Sequence, residues 1–342
     1  MNEDLLNHIR NHPLFSSKEI YDSLQTAYSY PTLKRELTKL VRNNLIIAEG
    51  KGKATKYRLS PSYELLIDID IDQYFSLEQD ERTIKSSFNH SLILEILTGA
   101  QLFTAQEYQG LEALQAKFTD NIAHLSKAEY GKEMERLAID LSWKSSQIEG
   151  NTYSLLETER LLLEQKTAEG KPKDDATMLL NHKEAINFII AHPDYVVPLT
   201  IRSIEDIHSI LTQNLGVDRN IRQRRVGVTG TNYKPLDNEH QIREALEAMC
   251  GLINTGKNVF DKSLLALVLL SYIQAFNDGN KRTARIVSNA LLIANQYCPI
   301  SFRTVDAIEY KKAMLIFYEQ NNINALKRIF KDQFEFAVNT YF

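Results

Sequence analysis

Residues 272–289 read YIQAFNDGNKRTARIVSN. An acid, a glycine and an amide stand in a loop that opens directly into a basic helical turn. A helix beginning near Lys281 presents free backbone N–H groups and the positive end of its dipole to the loop, so Asp278-Gly279-Asn280 can wrap an anion with main-chain donors. Gly279 permits close backbone approach. Arg282 and Arg285 are three residues apart, hence neighbours on one helix face, and can clamp more than one phosphate oxygen. Asp278 beside them is placed to hold Mg²⁺ through one carboxylate while substrate phosphates complete the shell. Phe276 is expected to point into the core and fix the loop. Such a set suits phosphoryl or nucleotidyl transfer, where positioning and charge neutralisation supply most of the catalysis. The bland alternative is a helix-capping Asp278 and arginines paired with surface acids; it accounts for any one of these residues but poorly for all of them. Just before the loop, where a proton-abstracting base would be useful, stands Gln274.

The surrounding chain is ordinary globular material: 342 residues, 43% hydrophobic and 25% charged, long enough for two or three domains. A net charge of −4 excludes a uniformly basic nucleic-acid coat, though not a local basic patch. The start, MNEDLLNHIRNH, lacks the basic and apolar regions of a secretory signal. The longest apolar run, LLALVLL at 264–270, is far below the roughly 20 residues of a membrane span, so a cytoplasmic protein with no membrane contact is expected. Cys250 and Cys298 sit in apolar helical surroundings and read as buried free thiols. The eight histidines are scattered without zinc-ligand spacing.

Residues 1–62 have a pattern of their own. Helices are expected in EDLLNHIRNH, from Ser16 or Ser17 in SSKEIYDSL, and in SYPTLKRELTKLVRNN, where Leu33, Leu37, Leu40 and Val41 recur at helical spacing behind Pro31. LIIAEGKGKATKYRLS then suggests two strands around a Gly-Lys turn. Three helices and a hairpin resemble a winged helix. Lys34, Arg35 and Lys39 on its third helix, with Lys51 and Lys53 in the wing, suit the phosphates of duplex DNA; the same module can serve protein docking instead. GKGKAT is not a Walker A loop, because its spacing is wrong. Residues 63–87 read as a linker, with Ile67, Ile69 and Ile71 alternating with aspartates as an edge strand or extended segment whose acids form a solvated face. From about 88 onwards apolar residues recur every three or four positions: in 90–118, 121–147, 153–165, 173–191, 200–215, 239–256, 260–275, 281–297 and from 305 to the end. The exception is RQRRVGVTGTNYKPLD, rich in glycine and β-branched residues, which is expected to stand out of the bundle as a short hairpin or flap.

Residues 274–285 match, at every defined position but the first, the motif of the Fic (filamentation induced by cAMP) family, which this chain resembles from about 88 to about 335. The motif runs histidine, any, phenylalanine, any, acid, glycine, asparagine, glycine or lysine, arginine, two residues, arginine. Two further features stand in the family's order. Val226-Gly227-Val228-Thr229-Gly230-Thr231-Asn232-Tyr233 looks like the flap that aligns a target segment by strand pairing. Ser145, Glu149 and Gly150 in SSQIEGN fit the inhibitory pattern, on a helix at about 132–150, of members restrained from their N-terminal side; there the glutamate pairs with the second arginine and displaces the ATP γ-phosphate. The resemblance implies a mainly α fold: a winged-helix domain, a linker, helices over 88–195 including the inhibitory one, and a Fic core at 196–342 with its hairpin flap. It implies a protein adenylyltransferase that moves AMP from ATP, with Mg²⁺, to a tyrosine, serine or threonine hydroxyl. Gly279, Asn280, Lys281 and Arg282 would hold phosphates, Arg285 the γ-phosphate, and Asp278 the metal. Self-modification and homodimers are familiar in the family.

Two positions depart from that pattern. The family's histidine takes the proton from the target hydroxyl, and an amide has no useful pKa near neutrality for that task; losing the base is worth on the order of 10²- to 10⁴-fold in rate. A native, weakly active nucleotide binder, an engineered inactivation and a base supplied elsewhere, His208 being nearest in sequence, are three readings of Gln274. A non-catalytic nucleotide sensor acting through the winged helix follows from the first. Lys281 stands where many AMP-transferring members have glycine and resembles Doc-type kinases, yet Gly279 and Arg285 fit AMP transfer better.

Overall fold

Local capping signals start most of the helices. In the computed structural model, which describes residues 2–24 and 29–342, α1 (Asn2–Asn11) is followed by β1 (Phe15–Ser16) and by α2 (Ser17–Ser23), which opens on a Ser16–Glu19 capping box. Ser29 caps α3 (Tyr30–Arg42), with Pro31 in its first turn. Leu33, Leu37 and Leu40 turn inward and join Leu5, Leu6, Ile9, Ile20 and Ile46 in a small core separate from the main one. β2 (Ile46–Glu49) and β3 (Lys56–Leu59) form a hairpin, and β1 completes a three-stranded antiparallel sheet of order β1-β3-β2, with Ile46 opposite Leu59.

The stretch expected as an edge strand or extended linker joins no strand: residues 67–70 are non-helical and lie between two short helices, α4 (Tyr63–Leu66) and α5 (Ile71–Phe75). Its three aspartates are solvent-exposed, as expected of a solvated face. Asp70 caps α5 by accepting from the Gln73 N–H, a local bond that competes with a strand ladder, while Asp68 meets Asn324 and Arg328, and Asp72 meets Lys312. Leu65 and Leu66 are buried in the main core, so this segment is packed down rather than free.

The helical body is α6 (Ala105–Ala123), α7 (Lys127–Ile148), α8 (Leu155–Glu164), α9 (Lys173–Ala191), α10 (Ile201–Leu211), α11 (Glu239–Thr255), α12 (Val259–Ile273), α13 (Asn280–Ala294), α14 (Ala307–Gln320) and α15 (Asn324–Thr340). The helix expected over 90–118 is interrupted: a Thr104–Glu107 capping box starts α6 afresh after two short irregular turns. The run expected from 305 onwards divides at Asn321, whose left-handed backbone (φ 54°) ends α14. Every side chain of α12 from Ser263 to Ile273 is buried, as a helix apolar on all sides requires. It packs along α13, and the two meet at the loop 274–279. Cys250 and Cys298 are buried free thiols, and no described helix is long and apolar enough to cross a membrane.

The segment 226–237 does not stand free of the bundle, since Tyr233 and Leu236 are buried in the main core, and its arms carry no ladder between them; the short hairpin of the fold is β2–β3. The segment is held from outside instead. Arg82 Nη2 donates to the Gly230 carbonyl at 2.6 Å, the Lys234 N–H to the Ser86 carbonyl at 2.9 Å, and Asn232 bonds Gln79 and Asp80.

Candidate functional site

Gln274 ends α12 in the left-handed region (φ 52°), which turns the chain sharply into the motif loop. Phe276 is buried and stacked on His208, ring centroids 3.7 Å apart and 5° from parallel. His208 Nε2 lies 2.9 Å from the Asp278 carbonyl. It therefore holds the loop from behind, and burial, the largest influence on it, pushes its pKa down. It does not line the cavity in front of the loop. Gly279 has φ +81°, and a Cβ there would lie 3.2 Å from Thr212 Cγ2 and 3.3 Å from His208 Nε2, so the close approach that glycine permits is to these two side chains.

α13 begins at Asn280 with no side-chain cap, which leaves the N–H groups of its first turn facing the loop. The Asn280 side chain is engaged within the loop: Oδ1 accepts from the Phe276 N–H, and Nδ2 donates to the Phe276 carbonyl and to Gln274 Oε1. What it leaves for a ligand is its backbone. The Gln274 amide is occupied at both ends, because Nε2 donates to the Ser271 carbonyl at 2.6 Å while Oε1 accepts from Asn280 at 3.1 Å.

Arg282 is 2% exposed, and only its Nη2 is paired, with Asp278 at 2.8 Å. Its Nε and Nη1 have no partner. Buried guanidinium nitrogens left unsatisfied in this way point to a missing anionic acceptor. Arg285, 0% exposed, is turned the other way, towards α7: Nε donates to Ser145 Oγ at 2.7 Å, and Nη2 to the Ser145 carbonyl at 3.0 Å and to Glu149 Oε1 at 2.8 Å. Glu149 sits at the C-cap of α7, and its other oxygen meets Lys281 Nζ at 3.3 Å. Burial alone would raise the Glu149 carboxyl, but Arg285 and then Lys281 outweigh it and hold the pKa at about 2. Gly150, with φ +102°, carries the chain out of α7.

The cavity in front of these groups has a volume of about 580 Å³ and is walled by Glu149, the loop from Asn277 to Arg282, the flap segment Gly227–Gly230, and Tyr310, Met314 and Tyr318 of α14. That is the size of a nucleotide or cofactor site. A larger, more open groove of about 910 Å³ runs between Asn43 and Leu45 on one side and α6 and α15 on the other. Its Lys327 and Lys331 are already paired with Glu107, and Arg328 with Asp68, so nothing in it calls for a ligand.

Residues 198–292 match the model of the Fic/DOC family. The chain is 26% identical to the protein adenylyltransferase Fic of Drosophila willistoni over 156 residues, which are 45% of this chain and 31% of that protein. The corresponding Culex quinquefasciatus protein is 26% identical over 162 residues, with 45% and 31% covered. The chain thus spans about a third of the length of these relatives. Among solved structures, Fic-1 of C. elegans superposes with a TM-score of 0.60 at 19% identity, covering 69% of this chain and 72% of that one. A Fic-domain signalling protein from Bacteroides thetaiotaomicron gives 0.58 at 19%, with 68% and 94% covered. The Fic fold of the helical body follows from these superpositions.

The structure brings together every expected residue of the phosphate loop and of the inhibitory pattern. It also adds residues that sequence reasoning missed. Buried His182, on α9, lies 2.7 Å from Ser145 Oγ and backs the Arg285 contact. Arg222 is buried beneath the flap, where Nε donates to the Gln274 carbonyl at 2.6 Å, Nη1 to the Arg224 carbonyl at 2.8 Å, and Nη2 to the Leu236 carbonyl. It ties both ends of the flap to the motif. Neither residue belongs to a motif, and only the spacing of the tertiary fold gives it a partner.

Proposed function

We propose that the chain is a protein adenylyltransferase of the Fic type, restrained by Glu149 and lacking a general base at Gln274. The observation that carries this is Arg282: a buried guanidinium with two unpartnered nitrogens, facing a 580 Å³ cavity at the uncapped start of a helix. An ATP phosphate satisfies these donors together with the first-turn N–H groups of α13. Asp278, 65% exposed beside Arg282, is a single carboxylate, which suits a Mg²⁺ ion that keeps waters and substrate phosphates in its shell. When bound, that ion would neutralise phosphate charge.

In the transfer, a target hydroxyl oxygen forms a bond to the α-phosphorus, the bond to the β-phosphate bridging oxygen breaks, and pyrophosphate leaves. The hydroxyl proton needs an acceptor. Gln274, whose Oε1 already accepts from Asn280, has no suitable basicity, and His208 stands behind the loop with its Nε2 on a carbonyl. Nucleotide binding and turnover are therefore separable in this site. Among the described residues no backbone hydrogen bond joins Val226–Thr229 to the rest of the protein, so this edge of the flap is open to pair with a target segment. Glu149 occupies Arg285, the guanidinium a γ-phosphate would otherwise engage.

Intact-mass measurement after incubation with Mg²⁺ and ATP tests the reading on Glu149→Gly and on Glu149→Gly/Gln274→His. The double variant is expected to gain AMP and the single variant to gain far less, by on the order of 10²-fold or more. A phosphate adduct, or no adduct on either variant, would sink it.

A further inference from the structure

We propose that the N-terminal module is a duplex-DNA reader that lays α3 in the major groove, a function separate from the nucleotide cavity and independent of the reading given to it. The small core leaves a distinct set of side chains outside. Leu33, Leu37 and Leu40 fill the inner face of α3, and Glu36, the one acidic residue of the helix, is buried with them. The outer face therefore consists of Pro31, Lys34, Arg35, Thr38, Lys39 and Arg42, all exposed. Four of these six are cations. None of the four is in an ion pair among the described residues, whereas Arg58 of β3 is neutralised by Glu49. Lys34 instead lies over the Tyr30 ring at 5.0 Å, which keeps its ammonium at the start of the helix.

Unpaired cations on one helix face repel one another and are held there without a local reward. Elsewhere this chain pairs its lysines and arginines readily, as Lys327 and Lys331 with Glu107 show. Residues 1–62 carry ten Lys and Arg against six Asp and Glu, a surplus of four in a chain whose net charge is −4. The positive field is thus concentrated on one small module. A polyanion is the partner that such a surface fits.

The shape selects the class of polyanion. α3 is 13 residues long, and Lys34 and Arg42 are separated by about 12 Å along its axis, close to the width of the B-DNA major groove. α2 and α3 are consecutive helices, the order found in a helix-turn-helix, whose second helix enters the groove. Lys34 and Arg35 lie on its first half, where base edges are read, and Thr38, Lys39 and Arg42 follow towards the phosphates. Lys51 and Lys56 are exposed on the β2–β3 hairpin and reach a flanking backbone, while the Lys53 side chain lies outside the described residues. The deep, narrow major groove of A-form RNA does not admit a helix.

The test uses the full chain and a mixed-sequence DNA duplex of about 24 base pairs, long enough to cover two helical turns, followed by fluorescence anisotropy across a salt series. About six phosphate contacts predict a slope of log K against log salt near −5, and removing two contacts lowers it by about 2. Lys34→Glu/Lys39→Glu is expected to weaken binding by on the order of 10²-fold or more at low salt. Lys166→Glu/Lys257→Glu, which reverses two exposed lysines on the helical body, is expected to leave it unchanged. Both variants should melt with the parent, because none of these side chains enters the core. Absence of binding at low salt overturns the proposal, as does equal weakening by the two variants. Equal affinity for a single strand of the same length overturns the groove reading. Loss of a dimer rather than of DNA binding in the Lys34→Glu/Lys39→Glu protein would assign the stripe to contact between copies of this chain, against the proposal.

Discussion

Replacing Glu149 by glycine removes the counter-charge of a guanidinium that is 0% exposed, and the consequences can be worked from the contacts. The carboxyl is held at about 2 against an ordinary 4.5, a difference of roughly 3 kcal/mol in favour of the ionised, bonded form. After the substitution, Arg285 keeps only its two bonds to Ser145, and Lys281 loses its carboxylate. Breaking one side of such a buried pair costs about 3 kcal/mol, which for a chain of this size lowers the melting temperature by roughly 4 °C. The same change vacates two cations at the edge of the cavity. ATP at about 100 times its dissociation constant would then restore some 2.7 kcal/mol. Thermal melting with and without Mg²⁺ and ATP reads both effects. The parent should melt higher and respond weakly to ATP, and the variant should melt lower and recover by several degrees, with ADP, which lacks the γ-phosphate, recovering less. A variant that melts with the parent and gains no more from ATP than the parent does would refute the reasoning.

Three further outcomes follow from the same contacts. Because the folded pKa of Glu149 is depressed, its contribution is fully present above about pH 4.5 and is lost as pH falls towards 2. The melting difference between parent and Glu149→Gly should therefore stay constant from pH 6 to 9 and shrink in acid, and a difference that shrinks near pH 7 would contradict the assignment. Gly279→Ala forces a left-handed alanine against Thr212 and His208 at a cost of about 1–3 kcal/mol; calorimetry should show weakened ATP binding, and unaltered affinity would mean that the loop does not hold the phosphates. Arg222→Met leaves three backbone carbonyls without their donor, a loss on the order of 3 kcal/mol or more, so limited proteolysis should cut within 226–233 faster than in the parent.

Much of this could be read before any coordinates, and the legible part was local. The Ser16–Glu19 capping box, Pro31 in the first turn of α3, and the uncapped glycine start of α13 are contacts within a few residues, which a short sequence window contains. The phosphate loop belongs here too, since an anion site at a helix N-terminus is made from consecutive backbone. The misreadings have equally local causes. Asp70 looked like one side of an alternating strand because its capping bond depends on α5, and Thr104 and Asn321 interrupt runs whose apolar period continues across them. The flap was expected to pair within itself, but Arg82, Asp80 and Ser86 hold it from a segment about 150 residues away.

Tertiary structure decided what the loop faces. That Arg282 is left with Asp278 as its one partner while Arg285, one turn on, is held by Ser145 and Glu149 with only Nη1 unpartnered depends on α7 arriving from 140 residues earlier in the chain. His182 and Arg222 entered the site in the same way, through distances that no spacing in the chain encodes. Periodicity and capping act over a turn of helix, about 5 Å, and set which elements form; the charge balance of a buried site is set by whichever elements pack around it, and that is a property of the folded molecule alone.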